Sequence, residues 1–302
     1  MLEAAGWPED EGTPAVRPEA LLLTLFGDHV LDRGIAVSTG GVIAALERLG
    51  VREHATRATL SRMSRRDLLH TVRRGRQAFL GLTAHGTAVL RDGQRKLDGD
   101  VVDRHWDGRW TLLTFSVPET RRADRYALRT RLGWFGFGPL RSGLWVSASA
   151  ADIAPALAEL DLLDHAEVFR AEPFMWTDPV RIAREAWDLP RIAAGYEQFL
   201  RRWAGSTPAG AETGAALSRE SAASAPGEAG APDGPGDELS CRIRLGAEWL
   251  LLIRRDPVLP PALLPADWPG TRAAALFRSL RRQWTRPAEE LAGGLLEFLV
   301  EE

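Results

Sequence analysis

Residues 48–76 hold nine arginines and two acids, a local charge of +7 in a chain whose formal net charge is −3. The stretch reads as a helix, a short turn, a second helix and a small hairpin. Basic charge gathered on one short element of a mildly acidic chain points to a docking surface for a polyanion. A winged helix-turn-helix head for double-stranded DNA is the expectation this supports. A solvated arginine face on an ordinary helical domain is the alternative.

The local signals fit the first reading. Pro18 suits the first turn of a helix whose apolar face is Leu21, Leu22, Leu25 and Phe26. Ser38 is a plausible N-cap for a second helix, with Val42, Ile43, Leu46 and Leu49 at helical spacing and Gly50 as its stop. A third helix is expected from about Glu53 to Arg66. Thr56, Leu60 and Met63 share its inner face; Ala58, Ser61, Arg62 and Arg65 lie outside, with Arg57 on the flank. Two strand-like runs then flank Arg73-Arg74-Gly75-Arg76, which forms the wing. The expected DNA-reading face is Arg57, Ser61, Arg62 and Arg65, joined by Arg73, Arg74 and Arg76 on the wing. Arginine pairs bidentately with guanine, serine bonds to several bases, and wing arginines can reach phosphates.

A second unit begins near Trp106. WTLLTFSVP has the character of a buried strand, 119–132 reads as a helix, and a glycine-studded loop leads to a strand around Leu144–Ser147. A helix over 151–161 and a strand in AEVFRAEP follow. A β-α-β-β-α-β order would make this ferredoxin-like, with one strand still to be found. From Asp178 the pattern is helical: VRIAREAW and LPRIAAGYEQFLRRWA, separated by Pro190, then CRIRLGAEWLLLIRR, TRAAALFRSLRRQW and RPAEELAGGLLEFLV. Residues 205–238 are rich in Ala, Gly, Pro and Ser and cannot offset their ordering entropy by burial. The expected fold class is α+β: a disordered tail at 1–17, a winged helix at 18–97, a ferredoxin-like domain at 104–175, and a C-terminal helical domain at 176–302 with a disordered insertion at 205–238.

Several function classes lack their signatures. The single cysteine, Cys241, excludes an internal disulfide framework and a cysteine-rich zinc site. The six histidines are scattered, with no pair at ligand spacing on one helix, so no metal is expected. No GxSxG, P-loop or Rossmann fingerprint appears, so neither catalytic residues nor a cofactor is expected. No run approaches a membrane span, and the acidic N-terminus lacks the apolar core of a signal peptide; a cytoplasmic location is expected. Lys96 is the only lysine among 38 basic residues, a bias that reads as GC-rich genome composition.

The blocks TRATLSRMSRRDLL, RRGRQAFLGLTAHG, WDGRWTLLTFSVPE, RLGWFGFGPLRSGLWVS and AREAWDLPRIAAGYEQFLRRW, in that order, resemble the PaaX family of bacterial transcriptional repressors. The resemblance runs from about residue 18 to 292, interrupted by 205–238. It implies a winged helix, a central ferredoxin-like domain similar to a small CRISPR-associated nuclease, and a helical C-terminal domain. It also implies a homodimeric repressor released by an aryl-CoA thioester, typically phenylacetyl-CoA. Arg129, Arg131, Trp134, Arg141 and Trp145 are candidates for the effector site, since cations beside aromatics could hold an anionic CoA moiety and an aryl group. Core and dimer-interface packing is the alternative for these aromatics.

Two features depart from the pattern. Asp67-Leu68 stands where family members commonly carry Gly-Trp. The nuclease relatives place an aspartate at the end of the first strand, where this chain reads Thr114-Phe115-Ser116-Val117. The missing acid argues against a nucleic-acid-cleaving enzyme, and the +7 charge of 48–76 argues against a protein-interaction scaffold.

Overall fold

The computed structural model describes residues 16–150, 152–206 and 236–301. Most of the expected N-terminal tail and of the 205–238 insertion lies outside the described residues. The fold is α+β.

The chain opens with α1 (Pro18–His29), a short strand β1 (Ile35–Ser38), α2 (Thr39–Arg48) and α3 (Glu53–Arg65). Ser38 caps α2, its Oγ accepting the Gly41 amide at 3.1 Å. Leu22, Leu25, Phe26, Val42, Leu46, Leu60 and Met63 are buried, and they pack the three helices. Asp67 ends α3 by adopting the left-handed conformation (φ 56°), and the Leu68 amide donates back to the Met63 carbonyl. That placement accounts for the Asp67-Leu68 departure: the aspartate is a helix stop, and Leu68 enters the core at 2% exposure.

The wing is β2 (Leu69–Arg74) and β3 (Gln77–Leu82), an antiparallel pair with Arg74 opposite Gln77. The two-residue turn needs a positive φ, which Gly75 supplies at 60°. Thr83 then caps α4 (Ala84–Asp98), its Oγ1 accepting the Gly86 amide.

The next elements are β4 (Trp110–Phe115), α5 (Arg122–Trp134), β5 (Gly138–Arg141), β6 (Leu144–Ser147), α6 (Ala154–Glu159) and β7 (Ala166–Ala171). They form an antiparallel sheet of order β5-β6-β4-β7, which is the ferredoxin-like arrangement. The strand missing from the sequence reading is β5, within the segment expected to be loop. It begins Gly-Pro, which hides it from a strand pattern, and Pro139 is tolerated because β5 is an edge. The inner strand β4 packs on both faces, and its apolar residues are interrupted only by Thr111 and Thr114. Leu113 packs with Leu128, Leu132 and Leu157 on one side, while Trp110 packs with Val146, Ala183 and Leu189 on the other.

That second face is covered by α7 (Pro179–Ala186) and the start of α8 (Leu189–Trp203). The break between these helices falls at Trp187-Asp188, not at Pro190, which sits in the first turn of α8. After α9 (Glu238–Ile253) comes α10 (Gly270–Leu295), one continuous helix that keeps Pro287 inside it. The expectation of two helices there is corrected, as is the expectation of helix to residue 300. The chain leaves α10 at Leu295 and forms a strand, β8 (Phe298–Val300), antiparallel to β1 with Ile35 opposite Val300. The winged-helix sheet therefore has four strands in the order β2-β3-β1-β8.

The described residues fall into two compact units that cut across the three expected segments. One unit gathers Arg17–Leu90, Arg201–Gly246 and Leu276–Glu302, so the C-terminal strand belongs with the winged helix. The other holds Arg91–Leu200 and Ala247–Ala275. Among the described residues no helix is long and apolar enough to cross a membrane.

Candidate nucleic-acid interface

Burying Thr56, Thr59, Leu60 and Met63 turns the opposite face of α3 to solvent. Arg57, Ser61, Arg62 and Arg65 are all exposed there. Arg57 is held by Glu53 at 2.7 Å, one helical turn away. The Arg62 guanidinium donates to Thr59 Oγ1 at 2.8 Å, which orients it along the helix. Arg66, by contrast, is drawn off the face by Glu19 at 2.7 Å. On the hairpin Arg73, Arg74 and Arg76 are exposed. Among the described residues no carboxylate pairs with Arg65, Arg73, Arg74 or Arg76. Among the described residues these guanidinium groups carry charge that no carboxylate neutralises.

The five candidate effector residues do not converge. Arg131 ties α5 to α6, donating to the Ala156 carbonyl and pairing with Glu159 at 2.8 Å. Arg141 pairs with Glu185 at 2.7 Å. Arg129 is exposed on α5, and Trp145 leans on the core between the sheet, α5 and α6. Trp134 points elsewhere. Its indole N–H donates to Asp92, and its ring lies under Lys96 Nζ (4.4 Å to the centroid) and beside Arg254 (5.7 Å).

Trp134 thereby lines a cleft of about 440 Å³ with Lys96, Arg104, His105, Phe135 and Asp256, among other residues. Asp256 is 2% exposed and accepts the Tyr196 hydroxyl at 2.5 Å and the Val258 amide at 2.7 Å. Burial pushes its carboxyl up to about 6. Burial also brings the Lys96 ammonium down to about 8, against the pull of Asp92 and Asp256. Val258 holds a left-handed φ of 53°, a strained conformation for a β-branched residue, in the wall of the same cleft. Sequence reasoning missed Lys96, Tyr196 and Asp256. The one available signal was that Lys96 stands alone among 37 arginines.

Comparison with known proteins gives a consistent series. Family models match residues 17–86 (PaaX-like protein), 103–183 (PaaX protein central Cas2-like domain) and 187–293 (PaaX-like protein C-terminal domain). The transcriptional repressor PaaX of Escherichia coli (strain K12) is 30% identical over 269 residues, covering 85% of this chain and 77% of the relative. An uncharacterized protein from Mycobacterium tuberculosis has a similar structure, with a TM-score of 0.56 over 91% of this chain and 98% of that one. At 22% identity that likeness speaks for the fold alone.

Proposed function

The chain belongs to the PaaX family, and from that premise we propose that it is a DNA-binding transcriptional repressor of a catabolic operon, released by an aryl-CoA thioester such as phenylacetyl-CoA. The observation that carries the DNA reading is the row of exposed arginines on α3 and the wing, five of them (Arg62, Arg65, Arg73, Arg74 and Arg76) without an internal carboxylate partner among the described residues. α3 enters the major groove with Arg57, Ser61, Arg62 and Arg65 toward the bases, and Arg73, Arg74 and Arg76 neutralise flanking phosphates. The protein acts in the cytoplasm, where its operator lies. Fluorescence anisotropy with a duplex from its own promoter region tests this. Binding should weaken steeply with salt, because each neutralised phosphate releases counterions. Salt-insensitive binding contradicts it.

The repressor works as a homodimer, since a palindromic operator calls for two-fold symmetry. The edge strand β7 supports this. Among the described residues no strand pairs with its outer edge, Val168 and Phe169 are exposed on it, and Phe174, Met175 and Trp176 are exposed in the segment that follows.

Aryl-CoA release follows the family resemblance, and the Trp134 cleft supplies an aromatic wall next to a cation. Calorimetry with phenylacetyl-CoA, with and without operator, tests it. The two ligands must weaken each other by the same factor. Absence of heat and of any change in operator affinity contradicts the effector while leaving DNA binding intact. The Escherichia coli relative is a transcriptional repressor. The end of β4 carries no acid, so the chain is read as a regulator throughout.

A further inference from the structure

We propose that Lys96 is an acylation site, its amine taking the acyl group of a small acyl-CoA thioester that enters the cleft beside Trp134. The thioester class is borrowed from the effector reading above; the covalent step is separate from it.

Three observations meet at this side chain. First, Lys96 Nζ sits over the Trp134 ring in a cleft large enough for a small aryl or alkyl acyl group. Second, the nearby carboxylates are engaged elsewhere. Asp92 takes the Trp134 indole N–H and Arg95, and Asp256 takes Tyr196 and the Val258 amide. Among the described residues none of them forms an ion pair with Lys96. Third, this is the one basic side chain of the 38 that can lose its proton near neutrality.

Desolvation holds the amine down to about 8, so a minor neutral fraction exists at physiological pH. Asp92 and Asp256 oppose that shift and Arg254 adds to it. Asp100, Asp103, Arg104 and His105 also face the cleft. A desolvated lysine beside a second cation is an activated nucleophile.

The step balances without an oxidant or reductant. The neutral Nζ forms a C–N bond to the thioester carbonyl carbon and the C–S bond breaks. The CoA thiolate leaves and takes up the proton released from nitrogen. The products are an amide and a free thiol. The amide is uncharged, so the cation–π contact with Trp134 is lost.

The full-length protein is incubated with phenylacetyl-CoA or acetyl-CoA, and its intact mass and peptide map are followed between pH 6 and 9. The expected result is one acyl group on Lys96, accumulating faster as pH rises and levelling off above about pH 8. Lys96→Arg, which keeps the charge, and Lys96→Met, which keeps the bulk, should both lose the adduct. An unmodified Lys96, or the same adduct yield on either variant, overturns the proposal. Operator affinity is read on the same samples before and after acylation. Release of operator with Lys96 unmodified keeps the effector reading and sinks this one. Acylation without any change in operator affinity does the reverse.

Discussion

Glu301, just past the last strand, reaches across the winged-helix sheet to the wing, its Oε1 2.7 Å from Nε2 of His70. The side chain passes over Gly81, which pairs with His70 in the ladder. A Cβ at Gly81 would lie 2.2 Å from Glu301 Oε1 and 2.6 Å from His70 Cε1. The contact exists because position 81 has no side chain. It fastens the last described residue to the element proposed to lie against DNA.

Gly81→Ala should therefore displace Glu301 and break its bond to His70, at a cost of about 1 kcal/mol. Hydrogen exchange should rise first at Phe298–Val300, with the α1–α3 core unchanged. An equal loss of protection across the whole winged helix would contradict a local fastening.

A second tie within the same unit is ionic. Arg242 on α9 pairs with Asp28 at 2.9 Å, with both side chains nearly buried, and also donates to the Arg281 carbonyl and Thr285 Oγ1. Arg242→Ala leaves the nearly buried Asp28 charge to Arg281, 3.8 Å away, and takes a charged donor from two acceptors, so it should cost roughly 2–3 kcal/mol. Chemical denaturation measures this; a loss below about 1 kcal/mol would mean solvent already reaches the pair.

Asp256 gives stability a pH dependence of known sign. Its carboxyl titrates near 3.8 when unfolded and about 6 when folded. Between those values the folded state holds a proton that the unfolded state has released. Its contribution is therefore complete below about 4 and is lost as pH rises through about 6. Asp256→Asn removes the titration, though its amide meets a donor from Tyr196 or Val258 and adds a fixed cost. The variant's melting temperature relative to wild type should climb between pH 4 and 6.5 and then level off. A difference independent of pH would refute the buried-carboxyl account.

Much of the head was legible because its signals are local. Ser38 caps, Gly75 turns, and the α3 periodicity sorts Thr56 and Met63 from Ser61 and Arg62. β1 and β8 were not legible. Each is three or four residues long, too short to show alternation, and their pairing joins Ile35 to Val300 across nearly the whole chain. β5 was masked by its Gly-Pro start. The cleft was hidden for the same reason as β8: Lys96, Trp134 and Asp256 come from three separate stretches of sequence, and Tyr196, which holds Asp256 from behind, from a fourth. The expected effector cluster failed to gather because Arg131 and Arg141 lie near Trp134 in sequence but are held by Glu159 and Glu185.

If β7 is the dimer edge, a charge there should separate the protomers. Phe169→Lys replaces an exposed ring (55% exposed) and should leave the fold intact. Sedimentation at micromolar concentration should give a dimer for the wild type and a monomer for the variant. A monomeric wild type, with and without operator, would remove the dimer from the account.

The central claim is that α3 and the wing read DNA in different ways, and operator titrations of two variants test it most directly. Arg62→Ala should weaken operator binding by roughly 1–3 kcal/mol while hardly changing affinity for unrelated duplex, because a base contact carries sequence information. Arg74→Ala should weaken both duplexes about equally and reduce the salt slope by about one. Wild-type specificity in Arg62→Ala, together with an unchanged salt slope in Arg74→Ala, would contradict the proposed interface.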